Sequence, residues 1–300
     1  MKSDYLNSKH KHKIKEKNSG HMQRLTLQKN LLSSKSIPYI DSSIDYLRFS
    51  DLLTPEEEAL RKEVRAFAET SIAPYINDSI DAAKFPDHLV PVIRKFDLFS
   101  HFISKPIGKG TSLIGIGLIL SELARVDGSI STFAIVQGGL AIHTIDKFAS
   151  EAQKLKYLPL LRRLELISGW GLTEISYGSD ASSIETIVTK NAQGDYVLNG
   201  NKRWIGNGDK DLLVVWARNI ESKKIEAFIV NMKSHGVTTQ AIKHKLALRM
   251  VQNCEIHFQN VVVPADNKLP KAKDFIKGTT DVLKHSRCLV CWIATGKKYK

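Results

Sequence analysis

The chain has 300 residues, of which 42% are hydrophobic and 25% are charged, an ordinary composition for a globular protein of about two domains. No apolar run reaches the ~18 residues that a membrane-spanning helix needs, so we expect no membrane span. Three cysteines are too few for a disulfide framework and indicate a reducing compartment.

Much of the net charge of +13 lies near the N-terminus. Residues 1–35 contain nine Lys or Arg and two acidic residues, and therefore carry +7. Residues 9–15 alternate basic residues without an aromatic side chain, unlike a nucleic-acid-binding arm. We predict that residues 1–48 are a basic disordered tail and that nucleic acid is not a partner. Residues 22–38 lack acids and also have the character of a transit peptide.

Residues 49–165 are predicted to form an N-terminal helical domain. Thr54-Pro-Glu-Glu57 combines an N-cap threonine, a proline at the first helical position and a glutamate three residues after the cap. Apolar residues then recur at helical spacing until Pro74. Four further helices are predicted over residues 86–96, 111–125, 129–147 and 150–163. On one of them, Glu122 and Arg125 have the spacing of a solvated ion pair.

From residue 166 to residue 268 the periodicity changes, and we predict a middle β domain. Short apolar runs separated by turn residues predict strands at 196–198, 212–217, 227–230, 255–258 and 261–263. Asn199-Gly200 follows the first of these runs and is a strong hairpin signal.

Residues 269–300 are assigned to a third region, in which residues 280–294 are predicted to be helical. This helix is apolar, and we expect its packing partners to lie outside the chain. Cys288 and Cys291 have the spacing of a redox motif, but the two apolar residues between them favour two buried core cysteines. The histidines are scattered, so no metal site is predicted.

Two motifs of the β region carry the functional prediction: Trp170-Gly-Leu-Thr-Glu-Ile-Ser-Tyr-Gly-Ser-Asp180 and Lys202-Arg-Trp-Ile-Gly-Asn207. Thr173 offers a hydroxyl, the glycines allow close backbone approach, and Trp204 offers a flat face for stacking. A flavin ring needs such a stacking wall with polar donors along its edge. A tryptophan beside Gly-Asn is also common in a core next to a turn, and the residues alone leave both interpretations open.

The two motifs resemble those of the acyl-CoA dehydrogenase/oxidase superfamily, and similar segments follow in the family's order at residues 122–127, 151–159, 199–202, 246–249 and 261–264. The similarity extends from about residue 49 to about residue 293. It is greatest to the short-chain acyl-CoA oxidases of plant peroxisomes and next to glutaryl-CoA dehydrogenase. The resemblance implies an α+β fold with an N-terminal helical domain, a mostly antiparallel, β-barrel-like middle domain, and only the first helix of a C-terminal helical domain.

The resemblance also implies FAD as cofactor, an acyl-CoA thioester as substrate, and α,β-dehydrogenation as the reaction. The family arrangement places the following residues against FAD: Trp170, Gly171, Leu172, Thr173, Gly178, Ser179, Trp204, Ile205 and Gly206. It places the following against the acyl-CoA: Ser131, Thr132, Ser179 and Arg287. Ser131 stands where glutaryl-CoA dehydrogenase has an arginine that holds the distal carboxylate of its substrate. A neutral, short acyl chain is therefore expected.

Some positions depart from the family pattern. Ile175 replaces a proline, Tyr177 a small residue and Ala247 a glycine, which predicts a less close fit to the flavin. The family's catalytic glutamate lies beyond the position of residue 293, and no glutamate here matches it. We therefore expect no catalytic residue in this chain and no turnover by the chain alone. Alternatives are a non-catalytic acyl-CoA- or subunit-binding protein, and a product that does not fold stably.

The resemblance further implies homo-oligomers, as the family forms them, and a peroxisomal location. Lys298-Tyr-Lys300 is not a peroxisomal C-terminal signal, and the acid-poor residues 22–38 keep a mitochondrial location open.

Overall fold

The computed structural model describes residues 49–272 and 274–298, so the predicted basic tail lies outside the described residues. A short 3-10 turn, Phe49–Leu52, belongs to a first unit that ends at Leu53, and a second unit begins at Thr54. The described part of the second unit contains eight α-helices: α1 Pro55–Phe67, α2 Ile76–Asp81, α3 Val90–Phe96, α4 Leu113–Val126, α5 Gly128–Ala134, α6 His143–Phe148, α7 Glu151–Arg162 and α8 Phe275–Lys298. It contains seven strands: β1 Ser168–Gly171, β2 Ile187–Lys190, β3 Tyr196–Gly206, β4 Leu212–Asn219, β5 Ile225–Asn231, β6 Val237–Ala241 and β7 Asn253–Val263.

The predicted start of α1 is confirmed. Thr54 Oγ1 accepts a hydrogen bond from the Glu57 backbone N at 3.2 Å, and Glu57 Oε2 accepts one from the Thr54 backbone N at 3.1 Å. These reciprocal bonds satisfy two of the backbone donors that every helix leaves free at its first turn. The helical path continues beyond α1 as a π-helical segment, Ala68–Ile72.

The ion pair predicted to be solvated is instead buried. Glu122 is only 4% exposed, and Arg65 of α1 donates to both of its carboxylate oxygens at 2.9 and 2.7 Å. Arg125 lies 3.4 Å away as a second partner. The prediction was wrong because the sequence spacing of Glu122 and Arg125 gives no sign that α1 crosses this face of α4. This bidentate ion pair links α1 to α4.

The long helix predicted over residues 129–147 is interrupted. It consists of α5, a π-helical segment at Ile135–Ile142, and α6. The following helix, α7, begins as predicted after Ser150, whose hydroxyl accepts a hydrogen bond from the Gln153 backbone N at 3.2 Å.

Strand β4 organises the sheet of the middle region. β1 and β2 both pair parallel with β4, at different positions along it, and β5 pairs antiparallel with β4. β2, β3, β7 and β6 then pair antiparallel in that order. The α+β class and the mostly antiparallel middle region are thereby confirmed.

The hairpin predicted at Asn199-Gly200 was wrong. β3 runs through both residues, and its register with β7 shifts between Leu198 and Gly200. Gly200 has φ +142°, and a Cβ at this position would lie 2.6 Å from Thr186 Cα. The Asn-Gly pair therefore marks a β-bulge at a close backbone approach, since only glycine tolerates both conditions.

The side chains of β4 alternate between two cores. Val214 and Trp216 pack with the helices in the larger core, whereas Leu213 and Val215 pack in a second core formed by the strands themselves. Both faces of β4 are thus covered, and its sequence is continuously apolar for that reason.

Helix α8 packs against α4 within the same chain. Val282, Leu289 and Ile293 are buried, and a Cβ on Gly117 of α4 would collide with the indole of Trp292. The prediction that α8 lacks partners in the chain is wrong for this face, because a glycine far away in sequence makes room for the tryptophan.

The cysteines of α8 are exposed, contrary to the prediction of two core cysteines. The buried stripe of α8 passes through positions 282, 289 and 293, whereas Cys288 and Cys291 lie on the outer side with Val290. The two apolar residues between the cysteines therefore suggested the buried face of α8, whereas both cysteines lie on its exposed face. Within residues 49–272 and 274–298, no helix combines the length and apolar character needed to cross a membrane.

Candidate functional site

The first motif begins in β1 and leaves the sheet at Gly171. The indole of Trp170 is buried, where its Nε1 donates to Thr144 Oγ1 at 3.0 Å and its ring packs edge-on against Trp216. Of Trp170, only the backbone could therefore contact a flavin, as the sequence predicts for this residue. The backbone of Gly171 is buried beside Leu213, and the side chain of Leu172 lies in the larger core.

Trp204, in the second motif, is presented on a bulge of β3. The register of β3 with β7 shifts between Lys202 and Ile205, and Trp204 has φ +63° with a side chain 52% exposed. Such a φ is uncommon for a bulky residue and persists only where the surroundings enforce it. The Arg203 guanidinium lies 5.5 Å from the centroid of the Trp204 ring, within cation–π range.

The residues after Trp204 return to the interior. Ile205 and Gly206 are buried, and a Cβ at Gly206 would contact Val136 at 3.1 Å. Asn207 has φ +56°, and its Nδ2 donates to the Ser168 carbonyl at 3.1 Å. This bond ties the end of the second motif to the start of β1.

A buried ion pair joins the two motifs. Lys202 Nζ lies 2.8 Å from Glu174 Oε1, and the two side chains are 0% and 2% exposed. Lys202 also donates to the Leu172 carbonyl at 3.1 Å. Glu174 accepts two more hydrogen bonds, from the backbone N of Glu185 at 2.7 Å and of Thr186 at 3.0 Å. Both charges are therefore paired and hydrogen-bonded.

The pKa values of both members of the pair are lowered. Burial lowers the pKa of Lys202 to about 8, and the neighbouring Glu174 opposes part of this change. Burial works to raise the pKa of Glu174, but Lys202 and the hydrogen bonds from Thr186 and Glu185 outweigh it and leave that pKa below its ordinary value. Sequence reasoning missed this pair, although each motif contains one of its members.

Thr173 lies beside the bulge that carries Trp204. Its carbonyl accepts a hydrogen bond from the Arg203 backbone N at 2.9 Å. Its side chain is partly exposed, and its hydroxyl makes no hydrogen bond with any residue that the structure describes. The structure therefore holds the backbone of Thr173 next to that of Arg203, the residue before Trp204.

The loop after Thr173 is open to solvent. Gly178 and Ser179 are exposed, and a Cβ at Gly178 would meet no atom within 4 Å. Tyr177, which the sequence suggests could crowd a bound ring, donates its hydroxyl to Glu185 Oε1 at 3.0 Å and packs against the larger core. Ile175 is half exposed. The side chain of Tyr177 is thus turned towards Glu185, and the loop around Gly178 is unobstructed.

The predicted substrate residues of the helical region have other contacts. Ser131 is fully buried and donates its hydroxyl to the Leu120 carbonyl at 2.7 Å. Thr132 donates to the Gly128 carbonyl at 2.7 Å. Arg287 is exposed on α8 and forms no ion pair with the part of the chain that the structure describes. The roles of these three residues in binding acyl-CoA stay predictions. The hydroxyl groups of Ser131 and Thr132 both donate to backbone carbonyls in this structure.

Among residues 49–272 and 274–298, no group of three or more His, Cys, Asp or Glu side chains could hold a metal ion.

Two family models match the chain in succession. Residues 54–165 match the acyl-CoA dehydrogenase N-terminal domain, and residues 169–261 match the acyl-CoA dehydrogenase middle domain. Together they account for most of the chain. They cover the helical region and both motifs, Trp170–Asp180 and Lys202–Asn207. The chain belongs to the acyl-CoA dehydrogenase family, of which it carries the N-terminal and middle domains.

Known relatives agree with this assignment. The short-chain-specific acyl-CoA dehydrogenase of Clostridium acetobutylicum is 31% identical over 225 residues, which are 73% of this chain and 59% of the relative. The enzyme of the same description from Megasphaera elsdenii is 37% identical over 53% of this chain and 43% of its own length. The chain thus spans about half the length of these curated relatives.

Solved structures show the same fold. A glutaryl-CoA dehydrogenase from Mycobacterium smegmatis in complex with FADH2 has a TM-score of 0.79 and 29% identity, covering 83% of this chain and 64% of that one. The butyryl-CoA dehydrogenase of Megasphaera elsdenii has a TM-score of 0.76 and 30% identity, covering 81% and 66%.

Proposed function

We propose that this chain forms one wall of an FAD site that serves the α,β-dehydrogenation of acyl-CoA thioesters. The observation that carries the proposal is the exposed indole of Trp204, which follows directly on Arg203, the residue whose backbone N is bonded to the carbonyl of the partly exposed Thr173. A stacking face and a polar donor at one edge are the two features that an isoalloxazine ring requires of its surroundings. The glutaryl-CoA dehydrogenase with FADH2 supports the choice of ligand.

Each residue of the wall would have a distinct task. Trp204 would stack on the ring, and Thr173 would donate to its polar edge. Gly178 and Ser179 would allow the loop backbone to approach closely, since nothing fills the space beside Gly178. When bound, FAD would supply the hydride acceptor. The buried Trp170, Leu172 and Ile205 would support the wall from behind.

A neutral, short-chain acyl-CoA is the proposed substrate. The two curated relatives are described as short-chain specific, and Ser131 offers no charge for a distal carboxylate. Because the relatives are dehydrogenases, we favour an electron carrier over oxygen as the acceptor. The oxidase likeness and the peroxisomal location inferred from it stay predictions, as does assembly into homo-oligomers.

The test is a titration of the purified 300-residue chain with FAD, followed by flavin absorption and fluorescence. We expect a bound flavin, with Trp204→Ala weakening the affinity at least about tenfold through the loss of stacking. Tyr75→Ala removes a similarly exposed aromatic side chain from the helical region and serves as the control. The absence of any flavin binding would refute the proposal. Binding of butyryl-CoA without flavin would instead favour the non-catalytic acyl-CoA-binding alternative.

A further inference from the structure

We propose that the buried pair of Glu174 and Lys202 is a positioning element that sets the distance and orientation of Thr173 relative to Trp204. The inference rests on the proposed function, because it assigns to the pair an effect on flavin binding in addition to any effect on folding. Neither side chain would touch the flavin, since both are essentially inaccessible.

Three consecutive contacts clamp one segment to the other. Lys202 Nζ donates to the Leu172 carbonyl at 3.1 Å, and the Arg203 backbone N donates to the Thr173 carbonyl at 2.9 Å. The third contact is the 2.8 Å bond from Lys202 to Glu174. The residues before and after Thr173 are therefore both held by Lys202, which leaves the hydroxyl of Thr173 on a fixed section of backbone.

The same carboxylate closes the exposed loop. Besides Lys202, Glu174 accepts hydrogen bonds from the backbone N of Glu185 and Thr186, at the far end of the loop that contains Gly178. The Glu174 backbone N also donates to the Tyr177 carbonyl at 3.0 Å. Glu174 thus fixes the beginning of the loop, and its side chain fixes the end.

The pair also supports the unusual backbone at Trp204. The bulge lies between Lys202 and Ile205, so Lys202 anchors its entrance. On the other side, Asn253 Nδ2 donates to the Trp204 carbonyl at 3.1 Å. A positive φ at an aromatic residue requires such external anchors, and Lys202 connects one of them to Glu174.

A charged pair is a poor choice for stability alone. Replacing a buried ion pair by apolar side chains of similar volume is often neutral or stabilising, whereas removing one partner is costly. Apolar side chains would fill the space but would lose the bonds to the Leu172 carbonyl and to the Glu185 and Thr186 amides. A variant without both charges avoids an unpaired buried charge, and its FAD affinity and local exchange in the folded state report on positioning.

The experiment compares the wild-type chain with the double variant Glu174→Leu/Lys202→Met. We expect the melting temperature without flavin to fall, because three backbone groups lose their partners, and the dissociation constant of FAD, measured where the variant is still folded, to rise at least about tenfold. Glu174→Gln retains an acceptor oxygen but no charge. Its dissociation constant for FAD should lie between those of the wild-type chain and the double variant. The matched control is Glu226→Leu/Lys268→Met, which removes an ion pair of 2.7 Å elsewhere and should leave FAD affinity unchanged.

Hydrogen–deuterium exchange gives a second readout that needs no flavin. If the pair positions the wall, the double variant exchanges faster in residues 173–186 and 203–206 and unchanged elsewhere. Unchanged exchange together with unchanged FAD affinity overturns the inference. If the wild-type chain binds no FAD, the proposed function fails, and the exchange pattern alone decides for or against positioning. If the double variant does not fold, Glu174→Gln is compared in the same two measurements.

Discussion

The imidazole rings of His143 and His285 stack face to face, with centroids 4.2 Å apart and an interplanar angle of 4°. His143 is the first residue of α6 and His285 lies in α8, so the stack joins α8 to the helical region. Beside it, Lys147 and Asp281 form an ion pair of 3.1 Å between the same two helices.

This stack predicts a loss of stability in mild acid. Burial, the neighbouring His285 and Lys147 lower the pKa of His143 from 6.5 to about 4, although Asp146 and Asp281 act in the opposite direction. The unfolded chain therefore takes up a proton at higher pH than the folded chain does. The free energy of unfolding should fall as pH drops from about 6.5 towards 4, by at most about 3 kcal/mol.

Thermal unfolding between pH 7.5 and 5 measures this effect. His143→Phe/His285→Phe keeps stacked rings but removes these two titrating groups, and should reduce the pH dependence in that interval to the part that comes from buried His101, whose pKa burial also lowers to about 4. His235→Gln alters an exposed histidine and should leave the dependence intact. An equally steep fall in the Phe/Phe variant would assign the acid sensitivity to other groups.

The close packing of α8 on α4 predicts a steric effect at Gly117. Because a Cβ at this position collides with the Trp292 indole, Gly117→Val should destabilise the chain by about 1–3 kcal/mol. Chemical denaturation measures the change. Trp292→Leu in the same chain should recover part of the loss, whereas Gly178→Ala, at a position with open space, should have little effect on stability.

The exposure of the α8 cysteines predicts two reactive thiols in the native chain. Cys288 and Cys291 should react with a thiol reagent without denaturant, since both are exposed. Cys254 is buried, and burial raises its pKa to about 11, so it should react only after unfolding. If no thiol reacts in the native chain, the prediction of two core cysteines would be correct after all.

The carboxylates of the wall predict no acyl-CoA turnover by this chain. Glu174 is held by Lys202, Asp180 accepts from the hydroxyls of Ser182 and Ser183, and Glu185 accepts from Tyr177. All three are already engaged in these contacts, and no glutamate of the chain matches the position of the family's base. Butyryl-CoA with FAD and a reducible dye should give no rate above that of a sample without protein. Sustained dye reduction would contradict the prediction.

The sequence predicts well where the determining signal is local. The Thr54 cap, the start of α7 and most strands follow from residues within one turn or one strand of each other. The Asn199-Gly200 signal misled because the relevant neighbour, Thr186, approaches from the segment just before β2.

The missed features depend on contacts between distant residues. Arg65 lies 57 residues before Glu122, and Lys202 lies 28 residues after Glu174. Charge type and spacing say nothing about which distant element crosses which face. The family motifs name the predicted wall residues by likeness alone, and they therefore include the buried indole of Trp170 together with the exposed one of Trp204.

The separation of Glu174 from Lys202 also bears on the order in which the chain acquires its structure. β2 and β3 are joined by a short turn, where Asp195 donates its backbone N to Asn191 Oδ1 at 2.9 Å, so this hairpin closes at low entropic cost. Glu174 can meet Lys202 only after the hairpin has brought β3 back beside the first motif. During refolding, we therefore expect the pair to form after the β2–β3 hairpin but before the pairing of β3 with β7, whose partners lie 47 to 67 residues apart.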